Sequence, residues 1–223
     1  MLKIENFEVL GWEHAIRGMR NPMNSWEKSD SNFFDDSEGH VCNICQGHGP
    51  MSLIEIGPND YTLMKNLRNA GTDHRKFMRM ITVYLDITAP LYWWKEFDTY
   101  RVGVEKNSCS TMHKIHAKEF TLEDFSCEKL YDPLGDLRPI VDRLNVYRER
   151  YLKTKDKNDW WQMIQLLPTS YNQKRTVMLN YEVLANIYKS RKHHRLDEWH
   201  TLCDWISELP YSELITGEEY DVE

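Results

Sequence analysis

The pattern of apolar and polar positions predicts strands and helices in the first half of the chain. Residues 1–10 alternate loosely, which predicts a first strand, and GWEHAIRGMR follows with a helical pattern. MSLIEIG predicts a short strand. MITVYLDI alternates strictly and predicts a strand with one buried face, formed by Ile81, Val83, Leu85 and Ile87. Pro90 is expected to end that strand.

Two helices are predicted around this strand. PNDYTLMKNLRNAG has Asn59 or Asp60 as a candidate N-cap, and Gly71 marks its C-terminal end. LYWWKEFDTYR predicts a helix with three aromatic residues on one face, and we expect it to end at Tyr100-Arg101. In TLEDF, a capping residue is followed three positions later by an acidic one, which is typical of a helix start.

The second half of the sequence is predicted to be entirely helical. Three apolar stripes at helical spacing are formed by Ile140, Leu144, Tyr147 and Tyr151; by Leu184, Ile187 and Tyr188; and by Trp199, Leu202, Trp205 and Ile206. No internal repeat and no long flexible linker interrupts the pattern. The prediction is therefore one α+β domain over residues 1–223, with a small sheet and an irregular insertion at about residues 22–50 that is rich in Asn, Asp and Ser.

Composition narrows the function classes. The formal net charge of -7 argues against a general nucleic-acid binder and against a membrane-surface protein. No apolar run reaches the roughly 18 residues of a membrane span, and the N-terminus lacks the pattern of a signal peptide. The five cysteines are expected to be reduced thiols or metal ligands. We expect a cytoplasmic protein.

One cluster of metal-ligating residue types lies in HVCNICQGH. Cys-x-x-Cys places two thiolates for one tetrahedral ion, and two flanking histidines complete a ligand set of His40, Cys42, Cys45 and His48. Structural zinc sites more often take their second ligand pair from a distant segment. The alternative is an exposed polar loop, so the segment predicts either a structural zinc site or no site.

A second cluster follows the aromatic helix. Hydroxyls, an amide and backbone N–H groups near Arg101 suit an oxyanion or a phosphate, in the stretch Lys106, Asn107, Ser108, Cys109, Ser110 and Thr111. The alternative is an ordinary polar turn, since Ser and Asn are common in turns. Cys109 with His113 is a third, weaker interpretation, because a catalytic thiol needs a lowered pKa.

Basic residues are concentrated near the C-terminus of this acidic chain. NQKRTVMLNYE and YKSRKHHRLDEWH together hold Lys174, Arg175, Lys189, Arg191, Lys192, His193, His194 and Arg195. On two predicted helices these residues form either a phosphate-binding wall or a solvated helix face, and helix C-termini attract cations in any case.

The order of these pieces resembles the flavin-dependent thymidylate synthase family of the ThyX type. NLRNAGTDHRKFMRMITVYLDITAPLYWWKEFDTYR follows the family's order of helix, turn, strand, Ala-Pro and helix, with Ala89-Pro90 in place. Later, Leu167-Pro168 and LNYEVLANIYKSR stand where the family has Leu-Pro and then a helix. In that helix, Asn180 and Arg191 fall at the family's Asn and its nucleotide-binding Arg. The resemblance covers about residues 55–210.

Several positions depart from the family pattern. Lys95-Glu96-Phe97 stands for Arg-Gln-Trp, Thr99-Tyr100-Arg101 stands for Arg-His-Arg, and Arg79-Met80 stands for Glu-His. In VEKNSCSTM, Asn107 matches the family's Asn when the frame is shifted by one residue, and Ser110 falls near the family's Ser. Thr111 and Met112 replace an Arg and a Tyr. Glu182 stands at the Arg of Asn-x-Arg, so that a cation facing flavin in the family becomes an anion here.

The resemblance implies a fold with a small antiparallel sheet and a largely helical C-terminal half, and a homotetramer with sites at subunit junctions. It implies FAD as cofactor, a pyrimidine deoxynucleotide such as dUMP as substrate, and folate and NADPH as further partners. By resemblance the nucleotide-binding residues are Arg101, Asn107, Ser108, Ser110 and Arg191, and the cofactor-binding residues are Tyr100, Lys174, Arg175 and Asn180.

Two functions remain open. In the first, the chain keeps a flavin-dependent methylation of dUMP, or of a related nucleotide, with a remodelled site. In the second, it keeps the fold and binds nucleotides or assembles without flavin, because a fold does not fix a function. Both require Tyr100-Arg101 and Arg191 to line a common anion-accepting cleft.

Overall fold

The computed structural model describes residues 1–34 and 53–217. The strands in chain order are β1 Lys3–Leu10, β2 Asn32–Phe34, β3 Leu53–Glu55, β4 Thr82–Pro90, β5 Glu105–Ser108 and β6 Asn172–Asn180. The helices are α1 Trp12–Arg20, α2 Pro58–Asn69, α3 Leu91–Phe97, α4 Pro133–Asp136, α5 Arg138–Thr154, α6 Lys157–Leu166, α7 Tyr181–Arg191, α8 Asp197–Ser207 and α9 Glu213–Thr216.

The strands form two sheets. One has four strands in the order β1-β4-β6-β5, and the other pairs β2 and β3 antiparallel with Asn32 opposite Glu55. In β4, Val83, Leu85 and Ile87 are buried whereas Tyr84 is exposed, so the predicted alternation is confirmed. The predicted α+β class with a small antiparallel sheet is also confirmed.

The chain divides into two compact units. Unit 1 comprises Met1–Lys3, Ile87–Thr99 and Asn107–Thr176. Unit 2 comprises Ile4–Asp86, Tyr100–Lys106 and Val177–Glu223. The single domain expected from the sequence stays a prediction.

The core of unit 1 is built on α5 and α6. Buried residues of this core include Phe120, Val141, Leu144 and Met163, and the apolar stripe of α5 packs against it as its spacing predicts. Asn145 on α5 ties the preceding loop to the helix, because its side chain bonds both the N–H and the C=O of Phe120, each at 2.8 Å.

The aromatic helix α3 is also core of unit 1. Trp93, Trp94 and Phe97 are fully buried. The rings of Trp93 and Phe97 stack with centroids 5.0 Å apart, and Trp94 Nε1 donates to the backbone oxygen of Gln173 at 2.9 Å. These aromatic side chains therefore stabilise the fold.

In unit 2, helix α7 packs against both α8 and α9. At the start of α7, Tyr181 lies edge-on to Trp12 with centroids 5.3 Å apart, and its hydroxyl donates to Pro210 O at 2.7 Å. A buried ion pair fixes another part of the unit. Arg20 Nε lies 2.6 Å from Asp60 Oδ1, and both side chains are at most 4% exposed.

Two predicted helix ends and one predicted type of secondary structure were wrong. Helix α2 begins at Pro58 with Gly57 at the N-cap position, so neither Asn59 nor Asp60 is the cap. Helix α3 ends at Phe97, three residues before Tyr100. The second half of the chain is not wholly helical, because residues 172–180 form strand β6, where Val177 and Leu179 are buried in alternation.

Other local predictions were confirmed. Thr121 and Asp124 form a capping box at the short 3₁₀ helix Leu122–Asp124. Gly71 follows α2 with φ of 108°, a conformation that favours glycine. Among the described residues, no helix combines the length and the apolar character that crossing a membrane requires.

Candidate functional site

Arg191 and Tyr100 are in contact within unit 2. Arg191 Nε donates to the Tyr100 hydroxyl at 3.0 Å, and the guanidinium lies over the Trp199 ring at 4.5 Å from its centroid. Tyr100 itself lies edge-on to Trp199 with centroids 6.1 Å apart. Tyr100 and Trp199 therefore hold the guanidinium at the C-terminal end of α7 close to two aromatic rings, where a planar cation is stabilised.

The turn after Arg101 approaches the start of α7 closely. Gly103 has φ of 72°, and a Cβ there would meet Asn180 Nδ2 at 2.9 Å. Only glycine fits this turn without strain. Arg101, which precedes it, is exposed. Tyr100 therefore contacts Arg191, whereas an anion-accepting cleft formed by Tyr100, Arg101 and Arg191 stays a prediction.

Asn180 caps helix α7. Its side-chain oxygen accepts from the Val183 N–H at 3.0 Å, which satisfies one of the unpaired donors at the helix start. That contact gives Asn180 a structural task. A role in cofactor binding, as the resemblance implies, would fall to its Nδ2 group.

The anion that replaces the family's cation is neutralised inside unit 2. Glu182 is buried in the first turn of α7, and Arg75 Nε lies 2.8 Å from its Oε2, with both side chains at most 15% exposed. Arg75 Nη2 donates to Oε1 at 3.0 Å. The charge reversal therefore comes with a partner cation, so that the pair is a fixed part of the fold.

A groove lies beside Arg191 on the surface of α7 and α8. It has a volume of about 590 Å³ and is lined by Tyr188, Lys192, His193, His194, His200, Cys203, Asp204 and Ser207. His194 lies edge-on to Trp199, the ring that Arg191 covers, with centroids 6.1 Å apart. Burial raises the pKa of the Cys203 thiol to about 11, with Asp204 adding to the shift. The groove is therefore rich in cationic and imidazole groups, and its thiol is protonated at neutral pH.

The second group of candidate residues belongs to unit 1. Asn107 and Ser108 are exposed on strand β5. The Ser110 hydroxyl accepts from the backbone N–H groups of Met112 at 3.2 Å and of His113 at 2.9 Å. Ser110 therefore organises a turn, which is the alternative left open for this stretch.

The same turn borders a cavity of about 320 Å³. Its lining is Cys109, Ser110, Lys114, Ile115, Lys118, Phe120 and Tyr171. Lys118 forms an ion pair with Asp124, which raises the pKa of Lys118. Burial raises the pKa of Tyr171, and the charge of Asp124 adds to the shift. The cavity has an apolar wall and a polar rim with two ammonium groups.

Lys174 and Arg175 lie on strand β6 rather than on the predicted helix. Arg175 Nη1 donates to Asp98 at 2.9 Å, Nε donates to the Gln173 side chain at 2.9 Å, and the guanidinium lies 4.2 Å from the centroid of the Trp94 ring. Lys174 accepts the Cys109 N–H through its backbone oxygen at 2.9 Å. Arg175 is therefore engaged in unit 1 by three contacts that hold strand and helix together.

The predicted metal loop, His40, Cys42, Cys45 and His48, lies outside the described residues. Within residues 1–34 and 53–217, no group of three or more His, Cys, Asp or Glu side chains is arranged to hold a metal ion.

Several contributors to these sites were missed by sequence reasoning, among them Trp199, Arg75 and Tyr171. Trp199 was assigned to an apolar stripe, Arg75 lies in a loop with no recognisable motif, and Tyr171 lies in a short polar stretch that gives it no distinguishing pattern. Only Trp199 had a usable signal, because it lies eight residues after Arg191 in the basic segment.

Comparison with known proteins gives a likeness in fold. No family model and no curated protein sequence matches the chain. The structure of thymidylate synthase X (ThyX) from Helicobacter pylori with FAD and dUMP aligns with a TM-score of 0.69 and 16% identity, over 97% of this chain and 98% of that one. The UMP/dUMP methylase PolB from Streptomyces cacaoi, bound with 5-Br dUMP, aligns with a TM-score of 0.58 and 13% identity, over 97% and 95%. The chain is thus ThyX-like in fold along nearly its whole length.

Proposed function

We propose that this chain is a ThyX-like protein that binds a pyrimidine deoxynucleotide, dUMP or a close relative, with Arg191 contacting the phosphate. The observation that carries the proposal is the end-to-end likeness to two kinds of structure that hold such a ligand: ThyX with dUMP, and PolB with 5-Br dUMP. A shared fold alone does not fix a function. The second support is therefore the placement of Arg191.

Arg191 is prepared for an anion by its surroundings. Trp199 supports the face of the guanidinium, and Tyr100 accepts the Nε hydrogen, so the plane of the group is fixed. Since Nε is used by Tyr100, contact with a phosphate falls to the two Nη groups. A planar fork held in place loses little entropy when it binds a phosphate.

We include in this proposal the other nucleotide-binding residues that the resemblance implies. Ser108 and Asn107 on β5, together with Ser110 and Arg101, would contact the nucleotide through hydroxyl, amide and guanidinium groups. The resemblance to the ThyX family implies sites at subunit junctions. We therefore propose a homotetramer, in a cytoplasmic protein, in which residues of different copies complete one site.

The residues at the start of α7 do not fit a flavin diphosphate. The side-chain oxygen of Asn180 already accepts a hydrogen bond in the helix cap. Glu182 places a carboxylate in the first turn of α7, where the positive end of the helix dipole would otherwise favour a bound anion. Arg175, a further candidate for the cofactor, has three partners in unit 1. Tyr100 and Lys174 are the further cofactor-binding residues that the resemblance implies for the flavin-dependent function. Folate and NADPH belong with the flavin-dependent function alone.

The misfit favours a second candidate function, a nucleotide-binding protein of ThyX-like fold that works without flavin. The Arg75–Glu182 pair supports this second function specifically. The family that the sequence resembles has an Arg facing flavin at position 182, and a buried, neutralised pair does not offer a flavin diphosphate that positive charge. The two functions make opposite predictions for the colour of the purified protein.

A thermal-shift panel tests the proposal. Purified full-length protein is heated with dUMP, dCMP, dTMP, UMP or FAD, since a ligand that binds only the native state raises its melting temperature. We expect a rise with at least one pyrimidine deoxynucleotide and none with FAD. A yellow protein with flavin absorbance, or a rise with FAD, would establish the flavin-dependent function instead. No rise with any nucleotide would contradict the proposal.

A further inference from the structure

A further cavity of unit 1 is lined in part by the loop that carries Ser110. It has a volume of about 270 Å³, and its lining is Met112, His113, His116, Tyr151, Lys155, Lys157 and Trp160. Tyr151 comes from the end of α5, Trp160 from the first half of α6, and the lysines from the turn between these helices and the start of α6. A cavity of this size is at the small end of ligand pockets, so it suits a ligand with one ring system.

The aromatic side chains of this cavity are held in place. Trp160 Nε1 donates to the backbone oxygen of Met112 at 2.9 Å, and the Tyr151 ring lies edge-on to His116 with centroids 4.9 Å apart. Lys155 Nζ lies 5.5 Å from the centroid of the Tyr151 ring. Fixed aromatic rings beside ammonium groups suit a planar anion, because the rings can stack on its plane and the ammonium groups can pair with its charge.

The charge around the cavity is positive. None of the described residues that line it is acidic. The two carboxylates of the adjoining segment have other tasks: Asp156 accepts from the Asn158 N–H at 2.9 Å, and Asp159 pairs with Arg150 at 3.3 Å. In the described part of the chain, neither Lys155 nor Lys157 forms an ion pair. Their charges are thus available to an incoming anion.

His116 adds an unsatisfied polar atom. Its Nδ1 is buried and has no hydrogen-bond partner among the described residues. Burial lowers the pKa of His116, and the charges of Lys155, Lys114 and Arg148 lower it further, so the ring is neutral at pH 7. A buried ring nitrogen without a partner is costly in a folded protein, which points to a group that completes the site.

We propose that this cavity binds a planar aromatic ring bearing an anionic group, of the nucleoside monophosphate class, with Lys155 and Lys157 on the anion and Tyr151 and Trp160 beside the ring. The lining of this site does not include Arg191, and the inference does not depend on the function proposed above. The loop at residues 109–120 contributes to both cavities, since Cys109 and Ser110 line the cavity of about 320 Å³.

Calorimetric titration with AMP tests the inference. AMP is the probe, adenosine supplies the ring without the charge, and inorganic phosphate supplies the charge without the ring. We expect adenosine and phosphate each to bind at least about tenfold more weakly than AMP, because each lacks one of the two contacts. No binding of AMP at millimolar concentration, or equal binding of AMP and phosphate, would overturn the proposal.

Paired variants locate the site. Lys155→Asn combined with Lys157→Ala removes both charges, and Asn suits the left-handed backbone at position 155, where φ is 57°. Lys95→Ala combined with Lys153→Ala removes two exposed lysines of the same unit outside the cavity. We expect the first pair to weaken AMP binding at least about tenfold, and the second to change it less than about twofold. Equal weakening by both pairs would overturn the proposal.

The Arg191→Ala variant separates this inference from the proposed nucleotide site. AMP binding at the cavity should be unchanged in Arg191→Ala, whereas the affinity for dUMP should fall at least about tenfold. Loss of AMP binding in Arg191→Ala would assign AMP to the other site and overturn the inference. Circular dichroism melting of each variant confirms that it folds.

Discussion

Arg191 Nε donates to the hydroxyl of Tyr100 across 91 residues of sequence, and the bond is 3.0 Å long. The bond joins the end of α7 to the segment that follows α3. It also uses one of the donors of the guanidinium and fixes the direction of the others. Tyr100 therefore acts on any anion at Arg191 as a positioning residue rather than as a direct ligand.

Tyr100→Phe tests this role. The ring and its edge contact with Trp199 remain, but the acceptor for Arg191 Nε is lost. We expect nucleotide affinity to fall by about two- to tenfold, since the bond acts on the nucleotide only through Arg191 and a typical hydrogen bond contributes roughly 0.5–1.5 kcal/mol. Isothermal calorimetry with dUMP measures the change. Tyr84→Phe, on the exposed face of β4, is the matched control, and equal affinities in the two variants would show that the bond has no positioning role.

Glu182→Gln should destabilise the fold. The substitution leaves Arg75 with a buried, uncompensated charge, which costs about 3 kcal/mol in comparable pairs. Urea unfolding followed by fluorescence measures the loss. The exchange Arg75→Glu with Glu182→Arg should recover at least half of it, because the attraction is restored. An exchanged protein as unstable as the single variant would mean that geometry, rather than charge, holds the pair.

The buried Asp60 should make the stability of the fold dependent on acid pH. Burial alone raises the pKa of Asp60, but the hydrogen bonds from Ser31, Ser29, Arg20 and Asp30 lower it by more. The pKa of Asp60 therefore lies below its usual value of 3.8. The folded form therefore binds the proton less readily than the unfolded form does. The resulting stabilisation is complete above about pH 5 and is lost as the pH falls through the lowered pKa.

Asp60→Asn is the corresponding variant. At pH 7 we expect a loss of about 3 kcal/mol, since Arg20 keeps a buried charge without its partner. The gap in unfolding free energy between wild type and variant should narrow below pH 4. Asp73→Asn, at an exposed position, should change stability by less than about 0.5 kcal/mol. A gap that stays constant from pH 7 to pH 3 would exclude the lowered pKa.

The thiols of Cys109 and Cys203 should differ in reactivity. Cys109 is exposed, whereas Cys203 is buried and its pKa is raised to about 11, so only a small fraction of Cys203 is thiolate at pH 8. Labelling with iodoacetamide at pH 8, followed by peptide mass mapping, should modify Cys109 at least about tenfold faster. Similar rates at the two positions would contradict the buried, protonated state of Cys203.

Much of the fold could be predicted from the sequence because local patterns were strong. The alternation in β4 and the apolar stripe of α5 each specify a buried face without help from distant residues. Strand β6 was missed because its polar residues, such as Lys174 and Arg175, occupy half-buried positions, so the alternation does not stand out. Its strand form depends on pairing within the four-stranded sheet, which the local sequence does not encode.

The candidate site was only partly predictable. The basic segment identified Arg191, but its partners Tyr100 and Trp199 depend on tertiary contacts. The sequence showed that Glu182 reverses a charge, yet nothing in it indicated that Arg75, 107 residues earlier, neutralises that charge. The cavity lined by His116 and Trp160 had no motif at all, since its residues come from a loop and two helices. Long-range pairing of this kind needs coordinates.

The affinity of dUMP for the wild type, Arg191→Ala, Arg191→Lys and Lys189→Ala, measured by calorimetry, tests the central claim most directly. Lys189 is the control because it is an exposed cation on the same helix. We predict a measurable affinity in the wild type and in Lys189→Ala. In Arg191→Ala it should fall at least about tenfold, and in Arg191→Lys by an intermediate amount, since lysine keeps the charge but not the planar fork. Equal dUMP affinity in the wild type and Arg191→Ala, or none in the wild type, would contradict the account.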